Sequence, residues 1–468
     1  MKFLPLTGVV LFTALITACQ SSEKKEEASG KVHLITLDPG HFHAALVQKT
    51  MFNGVDSVVH VYAPEGPDVQ LHLDKIQGYN TRPDDPTHWK EEVYKGPDFL
   101  DKMLSDQSKS ANNVVVMAGN NRLKTDYIQK TVGAGFNVLA DKPMVINASN
   151  FDKLKESFAI AEKNKVLLYD IMTERYEITT MLQRAFSRQP DVFGTLEKGT
   201  PNNPAVTKES VHHFYKNVSG SVLTRPAWFM DVAQQGEGIV DVTTHLVDLV
   251  QWECFPEQTI DYQKDINLTS ARRSTTDMSL SQFKAITKQN AFPDYLKKDV
   301  VNDSILRVYS NGEINYQLRG VHAKVSVTWA YKAPEGAGDT HYSIMRGTKA
   351  NLIIRQGAAQ QYKPTLYIEM VGGNKNGEAA LKAALPKIQQ DHPGVELKKV
   401  ASGWEVIIPE KYKESHEAHF GRVTQKYLDY LKAGSLPAWE VPNMIAKYYT
   451  TTQALELAKK TPSELAKK

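Results

Sequence analysis

Apolar runs alternate with amphipathic stretches along the first third of the chain. Short runs rich in valine, isoleucine and leucine occupy residues 32–37, 57–63, 114–118, 135–139 and 166–170. Between them, apolar positions recur with helical spacing at residues 41–50, 98–104, 125–134 and 150–163. β-Branched runs that alternate with helix-period stretches predict strand–helix–strand units, and hence a parallel sheet. Residues 74–96 are polar and turn-rich, which predicts a long insertion.

After about residue 172 the pattern changes to helices followed by many strand-like runs. The predicted strands are residues 305–309, 314–318, 322–329, 341–346, 351–354 and 365–370, with one or two more in 395–409. Ser310-Asn311-Gly312 is one of the turn signals between them, which favour antiparallel pairing. Helices are predicted at residues 178–186, 238–252, 378–389, 412–432 and 445–459. The pattern predicts an α/β N-terminal domain, residues 32–171, and an α+β C-terminal domain, residues 172–468, with a large, mainly antiparallel sheet.

The first residues resemble the signal peptide of a bacterial lipoprotein. Lys2 precedes an apolar run that ends in Ile16-Thr17-Ala18-Cys19, with small residues before the cysteine. The run is too short to span a membrane comfortably, which argues against a transmembrane anchor. We expect residues 1–18 to be a lipoprotein signal peptide, Cys19 to carry lipid, and residues 19–31 to be a flexible tether. The expected location is the cell envelope, on the periplasmic side or the outer-membrane surface.

Composition narrows the class of protein. The chain has 468 residues, of which 41% are hydrophobic and 23% charged, and this predicts a globular protein of two domains. The net charge is only +3 and no basic stripe is visible, so we do not expect nucleic acid as a partner. The chain has two cysteines, and lipidation of Cys19 would leave Cys254 alone, without a disulfide framework.

Lys142 stands just past a predicted buried strand, in the segment Ala140-Asp141-Lys142-Pro143-Met144. Parallel sheets bind ligands outside this end of their strands. Pro143 biases Lys142 toward an extended conformation. Partial desolvation lowers the pKa of an ammonium group, so Lys142 is a candidate proton carrier. A solvated loop lysine is the alternative.

Asp241 and His245 are a second candidate pair. They are one helical turn apart, so both project from one face of the predicted helix. A carboxylate beside an imidazole orients the ring and raises its basicity. Gly236 and Gly238 precede the pair and permit close approach of the backbone to a ligand. The alternative is a structural ion pair with a satisfied core histidine.

Three segments together resemble the Gfo/Idh/MocA family of nicotinamide-dependent glucose–fructose oxidoreductases and inositol dehydrogenases. They are Ala118-Gly119-Asn120-Asn121 followed by Gly133-Ala134-Gly135 and Asp141-Lys142-Pro143, then Glu174-Arg175-Tyr176, and finally the glycine, aspartate and histidine run of residues 236–248. They occur in family order. The resemblance implies a Rossmann-type dinucleotide-binding domain over residues 32–171. It also implies a substrate and oligomerisation domain over residues 172–468, whose open sheet face can pair subunits into a homo-oligomer.

The resemblance also implies roles for residues. His245 would be the general base on a sugar hydroxyl, Lys142 would relay the proton, and Asp241 would position the hydroxyl or the imidazole. Arg175, Tyr176 and Trp228 are weaker candidates for sugar contact, beside Asp241 and His245. The implied cofactor is tightly bound NAD or NADP. Its candidate contacts are Asp38, Gly40, His41, His43, Glu65, Ala118, Asn120, Asn121 and Lys142.

The turn after the first strand departs from the Gly-x-Gly-x-x-Gly fingerprint. Asp38-Pro39-Gly40-His41-Phe42-His43 keeps only Gly40, and Asp38 puts a carboxylate where the pyrophosphate would lie. His41 or His43 could compensate if protonated, and the helix N-terminus offers amide donors. The two histidines could instead form a substrate element or a metal site. Two ligands are fewer than zinc needs, so we expect no metal.

A second pair of histidines, His416 and His419, shares a helix face without an obvious third ligand, and we expect a role at the helix surface.

Three functions follow from these observations. The first is an NAD(P)-dependent oxidoreductase that oxidises a ring hydroxyl of a carbohydrate, with carbon 3 suggested by related sugar dehydrogenases. An exported enzyme meets little free dinucleotide, so the cofactor would be retained and recycled on the protein. The second function is a glycosidase of the same fold that uses the cofactor transiently. The third is a carbohydrate-binding lipoprotein that has lost the cofactor. The expected partners are a sugar or glycoside and, through the lipid on Cys19, the membrane.

Overall fold

The structure is a computed structural model that describes Met1 and residues 30–107, 112–218, 221–372 and 376–460. Apart from Met1, the predicted signal peptide lies outside the described residues, as do Cys19 and all but the last two residues of the predicted tether. No helix within the described ranges combines the length and apolar character needed to cross a bilayer.

The N-terminal half forms a six-stranded parallel sheet. Its strands are β1 His33–Leu37, β2 Val58–Ala63, β3 Lys90–Lys95, β4 Asn113–Met117, β5 Asn137–Asp141 and β6 Leu168–Ile171. The helices between them are α1 His43–Leu46, α2 Pro67–Thr81, α3 Phe99–Asp106, α4 Lys124–Gly133 and α5 Phe151–Asn164. The order across the sheet is β3-β2-β1-β4-β5-β6, so chain order reverses between β1 and β4. Ligands of such sheets bind at the carboxyl ends of the strands beside this reversal.

Residues 74–96 are not an insertion. They contain most of α2 and the edge strand β3. Both elements look polar in sequence because α2 buries only Val69, His72 and Ile76, and β3 has no fully buried residue. The predicted helix at residues 41–50 is also shorter than expected, since only His43–Leu46 is helical.

The C-terminal half is built on a ten-stranded sheet. Its strands are β9 Val206–Tyr215, β12 Ile266–Ser279, β13 Val300–Val301, β14 Ile305–Leu318, β15 Val321–Lys332, β16 Thr340–Arg346, β17 Ala350–Gln356, β18 Thr365–Met370, β19 Glu396–Val400 and β20 Gly403–Ile407. The order is β12-β14-β15-β9-β16-β17-β18-β20-β19, with β13 on β14. Only β15 and β9 pair in parallel among these described strands. The predicted fold class, a Rossmann-type domain followed by a large, mainly antiparallel sheet, is confirmed.

The remaining elements are two short hairpins and seven helices of the described chain. The hairpins are β7 Gly199–Thr200 with β8 Asn203–Pro204, and β10 Asn217–Val218 with β11 Ser221–Val222. The helices are α6 Ile178–Ser187, α7 Val232–Gln235, α8 Thr243–Cys254, α9 Leu280–Thr287, α10 Gly377–Asp391, α11 His416–Ala433 and α12 Glu440–Lys460. Cys254, the last residue of α8, is a free thiol, and burial raises its pKa.

The predicted turn at Ser310-Asn311-Gly312 lies inside the continuous strand β14. Position 312 requires a glycine because the loop before α8 crosses β14 in close contact at this point. A Cβ on Gly312 would lie 2.6 Å from the Cβ of Ile239, and a Cβ on Gly238 would lie 1.8 Å from the carbonyl oxygen of Ser310. Gly238 therefore permits close packing of the backbone against β14. The role expected from sequence is instead close approach of the backbone to a ligand.

Two hydrophobic cores meet at the C-terminal helices. The core of the parallel sheet includes Phe420 and Tyr427 from α11 and Met444 and Tyr448 from α12. The core under the large sheet also takes residues from α12, such as Leu455. The predicted boundary at residue 171 is therefore not a boundary in space, because residues after 415 complete the first domain.

A buried network of charges joins β6, α8 and α12. Lys447 is fully buried and its Nζ lies 2.7 Å from Oδ2 of Asp170 and 2.9 Å from Oδ1 of Asp248. Arg175 donates to both oxygens of Asp248, at 2.6 and 2.7 Å, and to Glu440 at 3.0 Å. Removing one partner from such a network leaves the others charged and desolvated, so the network fixes α8 against the parallel sheet.

The change Lys447→Met tests this network. It leaves Asp170 and Asp248 buried without their shared cation, and we expect the free energy of unfolding to fall by about 3–5 kcal/mol. Denaturant titration measures the loss. The matched control is Lys459→Met in the same helix, whose exposed ion pair with Glu456 predicts a loss of about 0.5 kcal/mol or less. Equal losses for the two variants would contradict the assigned role.

Candidate active site

A cavity of about 320 Å³ lies at the carboxyl ends of β1 and β5, where the two halves of the chain meet. We call it the central cavity. Its polar lining comes from both halves and includes His41, His43, Asp141, Lys142, Glu174, Asp241, His245 and His416. Phe42, Phe229 and Trp329 add aromatic faces. The size and the mixed lining are those of a small-molecule site.

Lys142 and Asp241 form an ion pair inside this cavity. Lys142 Nζ donates to Asp241 Oδ1 at 2.5 Å, although the residues are 99 positions apart. Their side chains are only 9% and 8% exposed. Gln235 Nε2 donates to the other oxygen of Asp241 at 3.1 Å, so both oxygens are held. A second lysine, Lys124, is buried behind them and donates to the carbonyl of Asp141 at 3.0 Å.

His245 lies in the first turn of α8 and lines the same cavity. The residue is 8% exposed, and its buried Nδ1 has no hydrogen-bond partner among the described residues. Burial, and then the positive charge of Lys142, lower the pKa of His245 to about 3. The ring is therefore neutral at neutral pH, which is the form that can accept a proton.

His41 and His43 reach Asp141 across the end of β4. Asp141 is the last residue of β5, and β4 lies between β5 and β1. The Nδ1 atoms of His43 and His41 lie 2.9 and 3.6 Å from Asp141 Oδ2. Burial alone would raise the pKa of Asp141, but the adjoining imidazole of His43 outweighs it and holds that pKa below its usual range. Sequence reasoning named both histidines but missed Asp141 as their partner.

Glu174 and His416 are further lining residues that sequence reasoning missed. His416 begins α11, and its Nδ1 lies 3.3 Å from Glu174 Oε1. The expected helix-surface role is wrong for His419, which is buried, and incomplete for His416, which lines the cavity. No local signal could place α11 here, because it arrives from the far end of the chain.

In the turn after β1, where the fingerprint would bind a pyrophosphate, backbone groups are bonded to the loop after β4. The amide of His41, which the fingerprint would offer to a pyrophosphate, donates to Ala118 O at 3.0 Å. A Cβ on Gly119 would lie 2.0 Å from Asp38 O, so the loops after β1 and β4 touch. Asp38 has φ +49°, and burial followed by the charge of Asp68 raises its pKa to about 6. The backbone of this turn is therefore engaged within the protein, and the cofactor contacts named for Asp38, Gly40 and Ala118 stay predictions.

Trp228 covers this turn and does not line the central cavity. Its Nε1 donates to Asp68 Oδ2 at 2.7 Å, and a Cβ on Gly40 would lie 3.1 Å from its ring. The expectation that Trp228 contacts sugar beside His245 is thus corrected. It lines a neighbouring cavity of about 400 Å³ together with Glu65, which follows β2.

Arg175 and Tyr176 also lie outside the central cavity. The Arg175 guanidinium donates hydrogen bonds to Asp248 and Glu440. Tyr176 packs against the core of the parallel sheet. Both residues hold the domains together, and neither is placed to touch a substrate in the central cavity.

Asn120 and Asn121 bind the short helix α7. Asn120 donates to the Gln234 side chain at 2.6 Å and Asn121 to the carbonyl of Gln235 at 2.7 Å. Asn121 also lines the central cavity, whereas Asn120 does not. The pair ties the end of β4 to the segment that carries Asp241.

Three neighbouring cavities lie along the carboxyl ends of the strands and share lining residues, and we call them together the groove. The cavity at Glu65 shares Asp68 and Arg225 with a middle cavity of about 360 Å³. The middle cavity shares His41, Lys75 and Arg225 with the central cavity. Two cationic side chains, Lys75 and Arg225, therefore line the middle cavity, between the cavity at Glu65 and the central cavity with Lys142.

A parallel-sheet domain followed by a large mixed sheet, with a cavity of charged and imidazole side chains lined by both, is the architecture of an oxidoreductase. The chain belongs to the family whose model is described as "Putative oxidoreductase C terminal domain", which matches residues 182–459. A solved structure described as a "putative oxidoreductase" from Parabacteroides merdae is 59% identical, with a TM-score of 0.89 over 92% of this chain and 98% of that one.

More distant solved structures share the fold. Levoglucosan dehydrogenase in complex with NADH and L-sorbose is 10% identical, with a TM-score of 0.59 over 92% of this chain and 97% of that one. KijD10, a 3-ketoreductase from Actinomadura kijaniata in complex with NADP and TDP-benzene, is 13% identical, with a TM-score of 0.53 over 92% and 98% of the two chains. No curated protein matches the chain.

The raised pKa of Asp38 predicts a pH-dependent stability. The folded carboxyl holds its proton up to a pH of about 6, above its ordinary value of 3.8, so the wild type loses stability as pH rises from about 4 to 6. Asp38→Asn has no such loss. We expect the melting temperature of the variant, relative to wild type, to rise across this window and then level off. Asp74→Asn, an exposed change on α2, is the control, and a flat difference for both variants would contradict the prediction.

Proposed function

We propose that this oxidoreductase acts on a hydroxyl group of a carbohydrate, with NAD or NADP as its redox partner. The observation that carries the proposal is the pairing of Lys142 with Asp241 in a cavity that also holds the neutral His245. A buried ammonium and a neutral imidazole on one small cavity can hold a hydroxyl and take its proton.

The lining of the central cavity supports a carbohydrate as the substrate. Sugars present many hydroxyl groups and apolar ring faces. The cavity offers the charged and amide groups of Glu174, Asp241 and Gln235 beside the aromatic rings of Phe229 and Trp329. The structure of levoglucosan dehydrogenase, which is in complex with L-sorbose, supports the same class of ligand.

The groove fits a dinucleotide, with contacts that differ from the fingerprint. Glu65 lies at the end of β2, where a carboxylate can accept hydrogen bonds from a ribose. Lys75 and Arg225 line the middle of the groove and can hold the phosphates, in place of the His41 amide that is bonded to Ala118. The central cavity, with Lys142, would receive the nicotinamide end.

The protein's own residues then perform the proton transfer. His245 accepts the proton of the substrate hydroxyl, and the Lys142 ammonium, fixed by Asp241, donates a hydrogen bond to the oxygen as negative charge develops there. When bound, NAD(P) would supply the nicotinamide ring that accepts a hydride from the carbon that bears this hydroxyl. Carbon 3 of a sugar ring is our proposed position, from the resemblance of the motifs to sugar dehydrogenases.

The proposed location is the cell envelope. The support is the sequence Ile16-Thr17-Ala18-Cys19, which is typical of lipoprotein processing and would attach the protein to a membrane through Cys19. A retained cofactor suits that location. We also propose that subunits pair through the open face of the large sheet.

The closed turn at Asp38 favours, as a second candidate function, a carbohydrate-binding lipoprotein that has lost the cofactor.

Identification of the retained cofactor tests the first part of the proposal. We expect mass spectrometry of the supernatant of denatured, freshly purified protein to find NAD or NADP in stoichiometric amount. Variant Lys75→Gln should retain less of it, because a cation that lines both the middle and the central cavity is removed. Lys288→Gln, an exposed change at the residue that follows α9, is the control. Purified protein that contains no nucleotide but still binds glycosides would contradict a retained cofactor and support the cofactor-free alternative.

His245→Gln tests the catalytic assignment. With a panel of methyl glycosides and levoglucosan, we expect kcat to fall about 100- to 10,000-fold with a smaller change in KM, because the proton acceptor is lost. Nicotinamide absorbance follows the reaction. His392→Gln, which changes a histidine outside the central cavity, should keep wild-type activity. Chromatography of the products checks the glycosidase alternative, which predicts cleaved glycoside without net NADH. Unchanged turnover in His245→Gln would remove this residue from the mechanism.

A further inference from the structure

The central cavity contains a cluster of two imidazoles and one carboxylate that the proposed proton transfer does not use. One ligand atom each from His41, His43 and Asp141 lies within 4.8 Å of the others. His43 and Asp141 are buried, and all three side chains line the cavity. We call these three residues the His-His-Asp cluster.

The spacing of the cluster suits a transition metal. Metal–nitrogen and metal–oxygen bonds of about 2.1 Å place neighbouring ligand atoms about 3–3.5 Å apart. The Nδ1 atoms of His43 and His41 lie 2.9 and 3.6 Å from Asp141 Oδ2. All three donor atoms lie within 4.8 Å of one another, so side-chain movements of about 1 Å would bring them around one ion.

An unsatisfied atom points to a missing ligand. Nδ1 of His41 is buried and has no hydrogen-bond partner among the described residues. A buried polar atom without a partner costs free energy, and a metal ion would remove that cost. The amide of His41 is meanwhile bonded to Ala118, which fixes the backbone from which the ring projects.

The local fold is built to bring these side chains together. β4 separates β1 from β5, so the two rings must pass over its end to reach Asp141. The residue there is Gly119, and any side chain at that position would collide with Asp38. Lys124 donates to the carbonyl of Asp141 and holds the third ligand from behind. Such outer contacts orient metal ligands.

We propose that the His-His-Asp cluster binds one divalent transition-metal ion, with an open coordination position that faces the central cavity. Three protein ligands and an exposed fourth position are the arrangement of catalytic metal sites, and two histidines with one carboxylate suit Zn²⁺ and Fe²⁺. The open position faces the cavity that holds Lys142 and His245, so the ion would polarise an oxygen of a ligand bound there. The site concerns metal alone and does not depend on the sugar or the nucleotide.

Metal binding is measured on the chelator-treated full chain, without sugar or nucleotide. After dialysis against micromolar Zn²⁺ we expect about one equivalent by elemental analysis, and Co²⁺ should give the visible absorption of a low-symmetry site. His43→Gln and Asp141→Asn should lower the affinity about 100-fold or more. His41→Gln, the change at the least buried ligand, should do the same if Asp141→Asn fails to fold.

The matched control is His213→Gln. His213 donates from Nδ1 to Asp339 at 2.8 Å, as His43 does to Asp141, but the ammonium of Lys216 occupies the same carboxylate. This variant should bind metal like the wild type. A wild type that retains less than about a tenth of an equivalent would overturn the proposal and leave His43 and Asp141 as a simple hydrogen-bonded pair. Equal binding by wild type and His43→Gln would also overturn it, since the metal would then lie elsewhere.

Discussion

The structure depends on the buried charges around Asp248. Asp248 lies on α8, three residues after His245, and accepts hydrogen bonds from Arg175 and Lys447. Lys447 in turn contacts Asp170 at the end of the parallel sheet. Charges this deep are stable only when every partner stays in place, because an unpaired one is costly to desolvate. The helix that presents His245, together with the turn before it that carries Asp241, is thereby held at a fixed position relative to the strand that Lys142 follows.

This constraint explains how one cavity can collect groups from such distant segments. Lys142 follows β5, Asp241 and His245 belong to the second domain, and His416 begins α11. Lys142 and Asp241 hold each other, and Glu174 holds His416. The arrangement resembles a preorganised site, in which polar groups already point at the place where charge will develop.

Much of the architecture was predictable from sequence, because periodicity and motif order are local signals. Lys142, Asp241 and His245 were found through such motifs, and the structure brings them to one cavity. The edge strand β3 was missed because an exposed strand lacks an apolar run. Gly312 was misassigned to a turn, since a glycine needed for contact with Ile239 looks the same in sequence. Asp141, Glu174 and His416 were missed because their roles arise only from long-range packing.

The shared C-terminal helices have a consequence for how the protein is made. The core of the parallel sheet incorporates Phe420, Tyr427, Met444 and Tyr448, which a ribosome delivers only after nearly the whole chain has emerged. The first domain to be synthesised must therefore wait, with part of its apolar surface uncovered, for the last two helices. Without α11 and α12 the parallel sheet would keep this apolar surface exposed to water, where it favours aggregation.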